Sequence, residues 1–223
     1  KYLMYRRWLS GLLGEPPEDL DMSSVTAFRA NYDRKVAINT AYLVPNGTMR
    51  LEAVGFVDVP LTGDAMDRAK GLVREGMEQG AVGFSTGSSY YPGPWTSTDE
   101  LVELCEVVRD AGGVLMSEPR QKNPERAFGG GGVAEAIEIA RRSSVKLHLA
   151  HFRTDPKTAG KVAEHMALVD QAQADGIDIT LDIYPYASGS TIPISFLPSW
   201  AQEGGPDAIL SRLADQAERA KIV

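Results

Sequence analysis

The chain predicts an α/β fold made of parallel βα units, and three observations carry that expectation. Short strand-like runs alternate with amphipathic helical stretches along most of the chain. The ends of four such runs, Ser85, Ser117, His151 and Tyr184, recur about every 32 to 34 residues, the length of a βα unit. No fixed-period repeat of the solenoid kind accompanies the alternation. At least five consecutive parallel strands are expected, either as an open sheet or as part of a (β/α)8 barrel, which takes about 250 residues when whole.

The elements follow in order. Residues 1–34 form a helical lead-in: Tyr2, Met4, Trp8 and Leu12 lie on one stripe, broken at Gly14-Glu-Pro-Pro17, and Val25 and Phe28 face inward from a second helix. Residues 35–223 carry the βα units, expected as an open sheet or as the central portion of a (β/α) barrel that is incomplete in this chain. Lys35 to Val44 is the first strand, ending in the turn signal Pro45-Asn-Gly47, with a polar connection after it. Thr62-Gly-Asp64 opens a long helix to about Gly80, and the strand Ala81 to Ser85 leads into the Gly/Pro/Tyr-rich loop Thr86 to Pro94. Ser97 and Glu100 make a capping box for a helix that stops at Gly112-Gly113. Strand Val114–Ser117, helix Val133 to about Arg142, strand Lys146–His151, helix Ala159–Asp175 and strand Ile177–Tyr184 complete the clear run. One more helical pattern runs from Pro206 to Val223.

The sequence has 223 residues, 43% hydrophobic and 24% charged, enough for a sizeable core. A net charge of −7 without a basic cluster longer than Arg6-Arg7 or Arg141-Arg142 argues against nucleic acid and anionic membrane surfaces as partners. No apolar run approaches the roughly 18 residues of a membrane span, so a cytoplasmic location and a small-molecule partner are the expectation. The single cysteine, Cys105, excludes an internal disulfide and a multi-cysteine zinc site, and its helical pattern makes it a buried thiol.

Chemistry is expected where parallel strands end, because α/β folds bind ligands at that edge. Alternation along Lys146-Leu-His-Leu-Ala-His-Phe-Arg153 puts Leu147, Leu149 and His151 on one side and His148 and Ala150 on the other. Asn46, Ser85, Thr86, Tyr90, Glu118, Arg120, His151, Arg153, Asp182, Tyr184 and Tyr186 all fall at strand ends or loop starts. His151 and Glu118, on neighbouring strands, are suited to share a divalent ion, since imidazole and carboxylate are both ordinary zinc ligands. A catalytic zinc takes three protein ligands, however, and a histidine at a strand end also serves as a hydrogen-bonded structural residue. Glu118 beside Arg120 equally reads as a solvated ion pair. Asp182 shares a face with Thr180 and Tyr184, from which it either orients an imidazole or is structural. Tyr90 and Tyr91 wall a small-molecule pocket or simply pack the loop. Gly129–Gly132 lacks any phosphate-binding pattern and reads as a flexible loop, and His165 reads as an exposed helical residue.

Several strings, taken together and in this order, resemble one family. They are Asn39 to Arg50, Gly80-Ala-Val-Gly-Phe-Ser-Thr-Gly87, Tyr90 with Pro92-Gly93, Leu149-Ala-His-Phe-Arg153, and Asp182-Ile-Tyr-Pro-Tyr186 with Ser188 to Thr191. From about residue 20 to the end, the chain is similar to the N-acyl-D-amino-acid deacylases (D-aminoacylases) of the amidohydrolase superfamily. The resemblance implies a zinc-dependent barrel that hydrolyses the amide of an N-acyl-D-amino acid. By that likeness His151 matches a metal-binding histidine and Arg153 a substrate-contacting lysine position, while Tyr90 and Ser190 match pocket positions. Tyr184 and Arg120 join the candidate substrate-binding set from their strand-end placement. Three departures stand out. Ser117-Glu-Pro-Arg120 replaces the usual Thr-His-Met-Arg, so Glu118 takes a metal-binding histidine's place. Asn46 stands where a histidine is usual. The family's His-x-His pair and bridging cysteine lie upstream of this chain, and its catalytic aspartate lies downstream. The alternative is an altered relative that binds a small acidic or amide ligand through Tyr90, Arg120 and Arg153. A third reading is an amidohydrolase relative with a different leaving group.

Overall fold

The structure is a computed structural model that describes residues 7, 9–87, 89–154, 158–186 and 188–222. The stripe positions Tyr2, Met4 and Trp8 lie outside the described residues. Five strands form one parallel sheet in chain order: β1 (Leu43–Pro45), β2 (Gly83–Gly87), β3 (Val114–Glu118), β4 (Lys146–Leu149) and β5 (Ile179–Leu181). Because crossovers between parallel strands are right-handed, an order that never reverses sets every connecting helix on the same side of the sheet. The connecting helices are α4 (Asp64–Glu78), α5 (Thr98–Asp110), α6 (Gly132–Ser143) and α7 (Val162–Ala174), each packed on the next. Monotonic winding of this kind is how a (β/α) barrel is built, and it differs from a doubly wound sheet.

The two faces of the sheet differ as that winding requires. In register, Val44, Phe84, Leu115, Leu147 and Ile179 form a buried row beneath the helices. The adjacent row, Ser85, Met116, His148 and Thr180, faces the other way and retains solvent contact. The helices answer with apolar stripes: Ala69 and Val73 of α4, Leu101, Leu104, Cys105 and Val108 of α5, and Ala136, Ile139 and Ala140 of α6 are all buried in one core. Each fully buried leucine among them contributes about 1.5–3 kcal/mol relative to exposure. The predicted capping box holds: Glu100 N donates to Ser97 Oγ (3.3 Å) and Ser97 N to Glu100 Oε2 (2.6 Å).

Before the sheet come α1 (Ser10–Leu13) and α2 (Val25–Ala30), the latter capped by Ser24, whose Oγ accepts from Ala27 N at 3.0 Å. Three sequence expectations are revised. The first strand is confined to Leu43–Pro45; Val36 and Ile38 are exposed, because their β propensity finds no partner strand at the sheet edge. The Pro45-Asn-Gly47 signal opens helix α3 (Asn46–Val54) rather than a turn, with Met49 and Arg50 buried. The tail splits into α9 (Gly205–Ala214) and α10 (Gln216–Ile222), preceded by the short α8 (Ser199–Gln202). At the split, Asp215 Oδ1 accepts from Ala217 N (2.8 Å) and Glu218 N (2.9 Å), capping the second helix and stopping the first. A smaller apolar cluster joins this tail to the β2–α5 loop through Tyr91, Trp95 and Ile209. Among the described residues no helix is long and apolar enough to cross a membrane.

Candidate active site

Glu118 is the last residue of β3, and its carboxylate accepts from Ser89 Oγ at 3.0 Å (Oε1) in the loop after β2. His151 lies just beyond β4, its Nε2 4.0 Å from Glu118 Oε1, with side-chain exposures of 38% for His151 and 16% for Glu118. Strand alternation does not carry His151 to this place. The strand ends at Leu149, and His151 adopts a left-handed backbone with φ 73°, a conformation that only a few per cent of non-glycine residues adopt. The turn brings the imidazole beside the carboxylate at the C-terminal edge of the sheet.

The aromatic and cationic candidates gather on the same edge. The Tyr184 ring centroid lies 6.4 Å from that of His151, stacks on Tyr186 at 4.6 Å, and sits 5.9 Å from the Arg153 guanidinium carbon. Tyr90 and Thr191 share a hydroxyl hydrogen bond of 3.0 Å, tying the loop after β2 to the loop after β5. Ser190 is exposed beside Thr191 in that second loop.

Arg120 is not brought to this edge. It is 4% exposed, and its Nε donates to both carboxylate oxygens of Glu135 (2.8 and 3.0 Å), its Nη1 to Pro94 O (2.8 Å) and its Nη2 to Thr96 O (2.6 Å). The solvated Glu118–Arg120 pair is therefore replaced by a buried Arg120–Glu135 pair on the helix side. Asn46 is buried as well, donating through Nδ2 to Thr96 Oγ1 at 3.2 Å. Tyr91 belongs to the core and donates to Asn123 Oδ1 at 2.6 Å. His165 is half-buried, its ring 6.3 Å from that of Phe152. Gly132 N donates to Arg120 O at 3.1 Å, so the glycine loop is anchored to that same buried arginine.

Sequence reasoning passed over His148. Its Nδ1 lies 2.8 Å from Thr180 Oγ1 and its Nε2 3.0 Å from Asp182 Oδ2, across the β4–β5 boundary. The signal was present: His148 is the polar position between Leu147 and Leu149, and Thr180 and Asp182 alternate in the same way with Ile179 and Leu181 one βα unit later.

Imidazole and carboxylate side by side suit a divalent ion such as zinc, as two of its donors. Among the described residues no group of three or more His, Cys, Asp and Glu side chains converges, so these two donors need another to complete a catalytic shell.

Strands wound in one direction, with that pair at their C-terminal mouth, define a segment of a (β/α) barrel of the amidohydrolase type. No protein-family profile matches the chain. It is 33% identical over 184 residues to the N-acyl-D-glutamate deacylase of Alcaligenes xylosoxydans xylosoxydans, covering 82% of this chain and 37% of that protein. It is 28% identical over 157 residues to the D-aminoacylase of the same organism, covering 70% of this chain and 32% of that one. Among solved structures, the N-acyl-D-glutamate deacylase from Bordetella bronchiseptica, complexed with zinc and a phosphonate mimic of the reaction tetrahedral intermediate, superposes with a TM-score of 0.69. Identity there is 31%, over 79% of this chain and 36% of that one. A D-aminoacylase crystal structure gives a TM-score of 0.66 at 26% identity, over 78% of this chain and 38% of its own. The chain belongs to the D-aminoacylase family of amidohydrolases, and it spans 37% and 32% of the length of the two curated relatives.

Proposed function

We propose that the protein to which this chain contributes hydrolyses the amide of N-acyl-D-amino acids, releasing a D-amino acid and a carboxylate. The observation that carries this reading is the His151–Glu118 pair, 4.0 Å apart at the strand mouth and flanked by Tyr184 and Arg153. His151 and Glu118 are the residues that would face a divalent metal; such an ion, when bound, polarises the acyl oxygen as a Lewis acid. Arg153 supplies positive charge for the substrate carboxylate, and Tyr184 an apolar wall backed by Tyr186. Tyr90 and Ser190 would contact the substrate from the loops after β2 and β5, which the Tyr90–Thr191 bond holds together. With Arg120 held by Glu135, the ligand-binding alternative loses one of its three anchors.

The test is made on the full-length protein. Metal content is measured together with hydrolysis of N-acetyl-D-glutamate, N-acetyl-D-aspartate and a neutral N-acetyl-D-amino acid. Bound metal with release of at least one D-amino acid is the expected outcome. Metal-free protein with no turnover on any of the three would overturn the reading.

A further inference from the structure

We infer that Asp182 is the positioning residue of His151, acting through a one-residue bulge between β4 and β5 and clasped from the side by His148. The inference rests on the reading of His151 as a functional side chain.

The hydrogen bonds beyond β4 show the bulge. Asp182 N donates to Leu149 O at 3.0 Å, which is regular for the Leu149–Leu181 pairing. Parallel pairing in step would next have His151 N donate to Asp182 O. Phe152 N takes that place instead, at 2.8 Å. Ala150 and His151 together therefore occupy the room of one residue opposite Asp182. On the other side the ladder stays in step, with Ala150 N donating to Ser117 O at 2.9 Å. The extra residue is absorbed on the β5 side alone, and the φ of 73° at His151 is where the backbone takes it up. A bulge re-aims a side chain, and here it turns the ring of His151 toward Glu118 rather than into the strand's alternating pattern.

Both backbone groups of Asp182 thus bracket His151, and its side chain is fixed in turn. His148 bridges Asp182 Oδ2 and Thr180 Oγ1 with its two ring nitrogens, at 3.0 and 2.8 Å. Thr180 on β5 and Asp182 just past its end are two residues apart and face the same way, so a single imidazole on β4 grips the strand end at both points. A functional group held to a fraction of an ångström needs supporting contacts of this kind.

The experiment follows the imidazole signals of the full-length protein, labelled at histidine, by nuclear magnetic resonance; the loss of a signal in His151→Asn and in His148→Gln assigns each ring. Asp182→Ala and His148→Leu should both move the His151 signal. His148→Gln, which keeps a donor toward Asp182, should leave it in its wild-type position. An unmoved His151 signal in both Asp182→Ala and His148→Leu would overturn the proposal, as would equal movement in His148→Gln and His148→Leu. Should Asp182→Ala fail to fold, His148→Leu keeps Asp182 itself, removes only the imidazole that clasps it, and carries the test alone. Turnover by the wild-type protein is measured in parallel. Absent turnover with a His151 signal that still responds defeats the deacylase reading and sustains the positioning role.

Discussion

Arg120 and Glu135 form an ion pair inside the protein through a single bifurcated Nε–H, side-chain exposures 1% and 4%, with the remaining guanidinium nitrogens bonded to the carbonyls of Pro94 and Thr96. Arg120 thereby joins the loop after β3 to helix α6 through Glu135 and to the loop after β2 through the two carbonyls, and it stands two residues from Glu118. Removing one partner leaves the other charge buried, so Arg120→Ala should lose about 3–5 kcal/mol of stability. The paired change Arg120→Met with Glu135→Leu should lose much less, since neither charge is stranded. Urea midpoints of the three proteins decide it.

The left-handed backbone at His151 predicts an uneven response to substitution. Asparagine tolerates that region, and His151→Asn should stay within about 0.5 kcal/mol of the parent. A β-branched residue does not tolerate it, and His151→Val should lose about 1–2 kcal/mol. Equal thermal midpoints for the two variants would contradict the backbone assignment.

Gly83 in β2 permits the close approach of the paired strand β3. A Cβ built there would stand 2.0 Å from the carbonyl oxygen of Val114, and the obstacle is backbone of the paired strand, which has no rotamer to yield. Gly83→Ala should cost about 3 kcal/mol through overpacking. Amide hydrogen exchange should rise first in Phe84 and Leu115.

Cys105 lies wholly within the core, and burial raises its thiol far above the ordinary range. It should resist iodoacetamide at pH 8 in the native protein and react once urea unfolds the chain. A thiol whose pKa is raised in the folded state contributes its stability fully below its unfolded pKa. That contribution is lost as the medium becomes more alkaline and the unfolded thiol ionises. Urea midpoints of wild type and Cys105→Ala should therefore converge as pH rises above about 9.

Much of the architecture was legible in the residues because it rests on local or periodic signals. Helix α5 is announced by Ser97 and Glu100 and by a stripe that reaches Val108, and strand β3 by Val114, Leu115 and Met116. Strand β1 was harder, since the run Val36 to Ile38 has the composition of a strand and lacks only a neighbour. Helix α3 was hidden because Pro45-Asn-Gly47 satisfies the chemistry of a turn and of a helix start equally.

By itself the sequence determined that parallel βα units succeed one another, which side chains stand at the strand ends, and which family they resemble. The tertiary structure decided which of those side chains meet. Arg120 went to Glu135 and the core, whereas His151 was turned beside Glu118 by one extra residue opposite Asp182. The reason is physical: periodicity is local and written in residue types, but the partner of a buried charge and the register of a bulge depend on residues brought together only by folding.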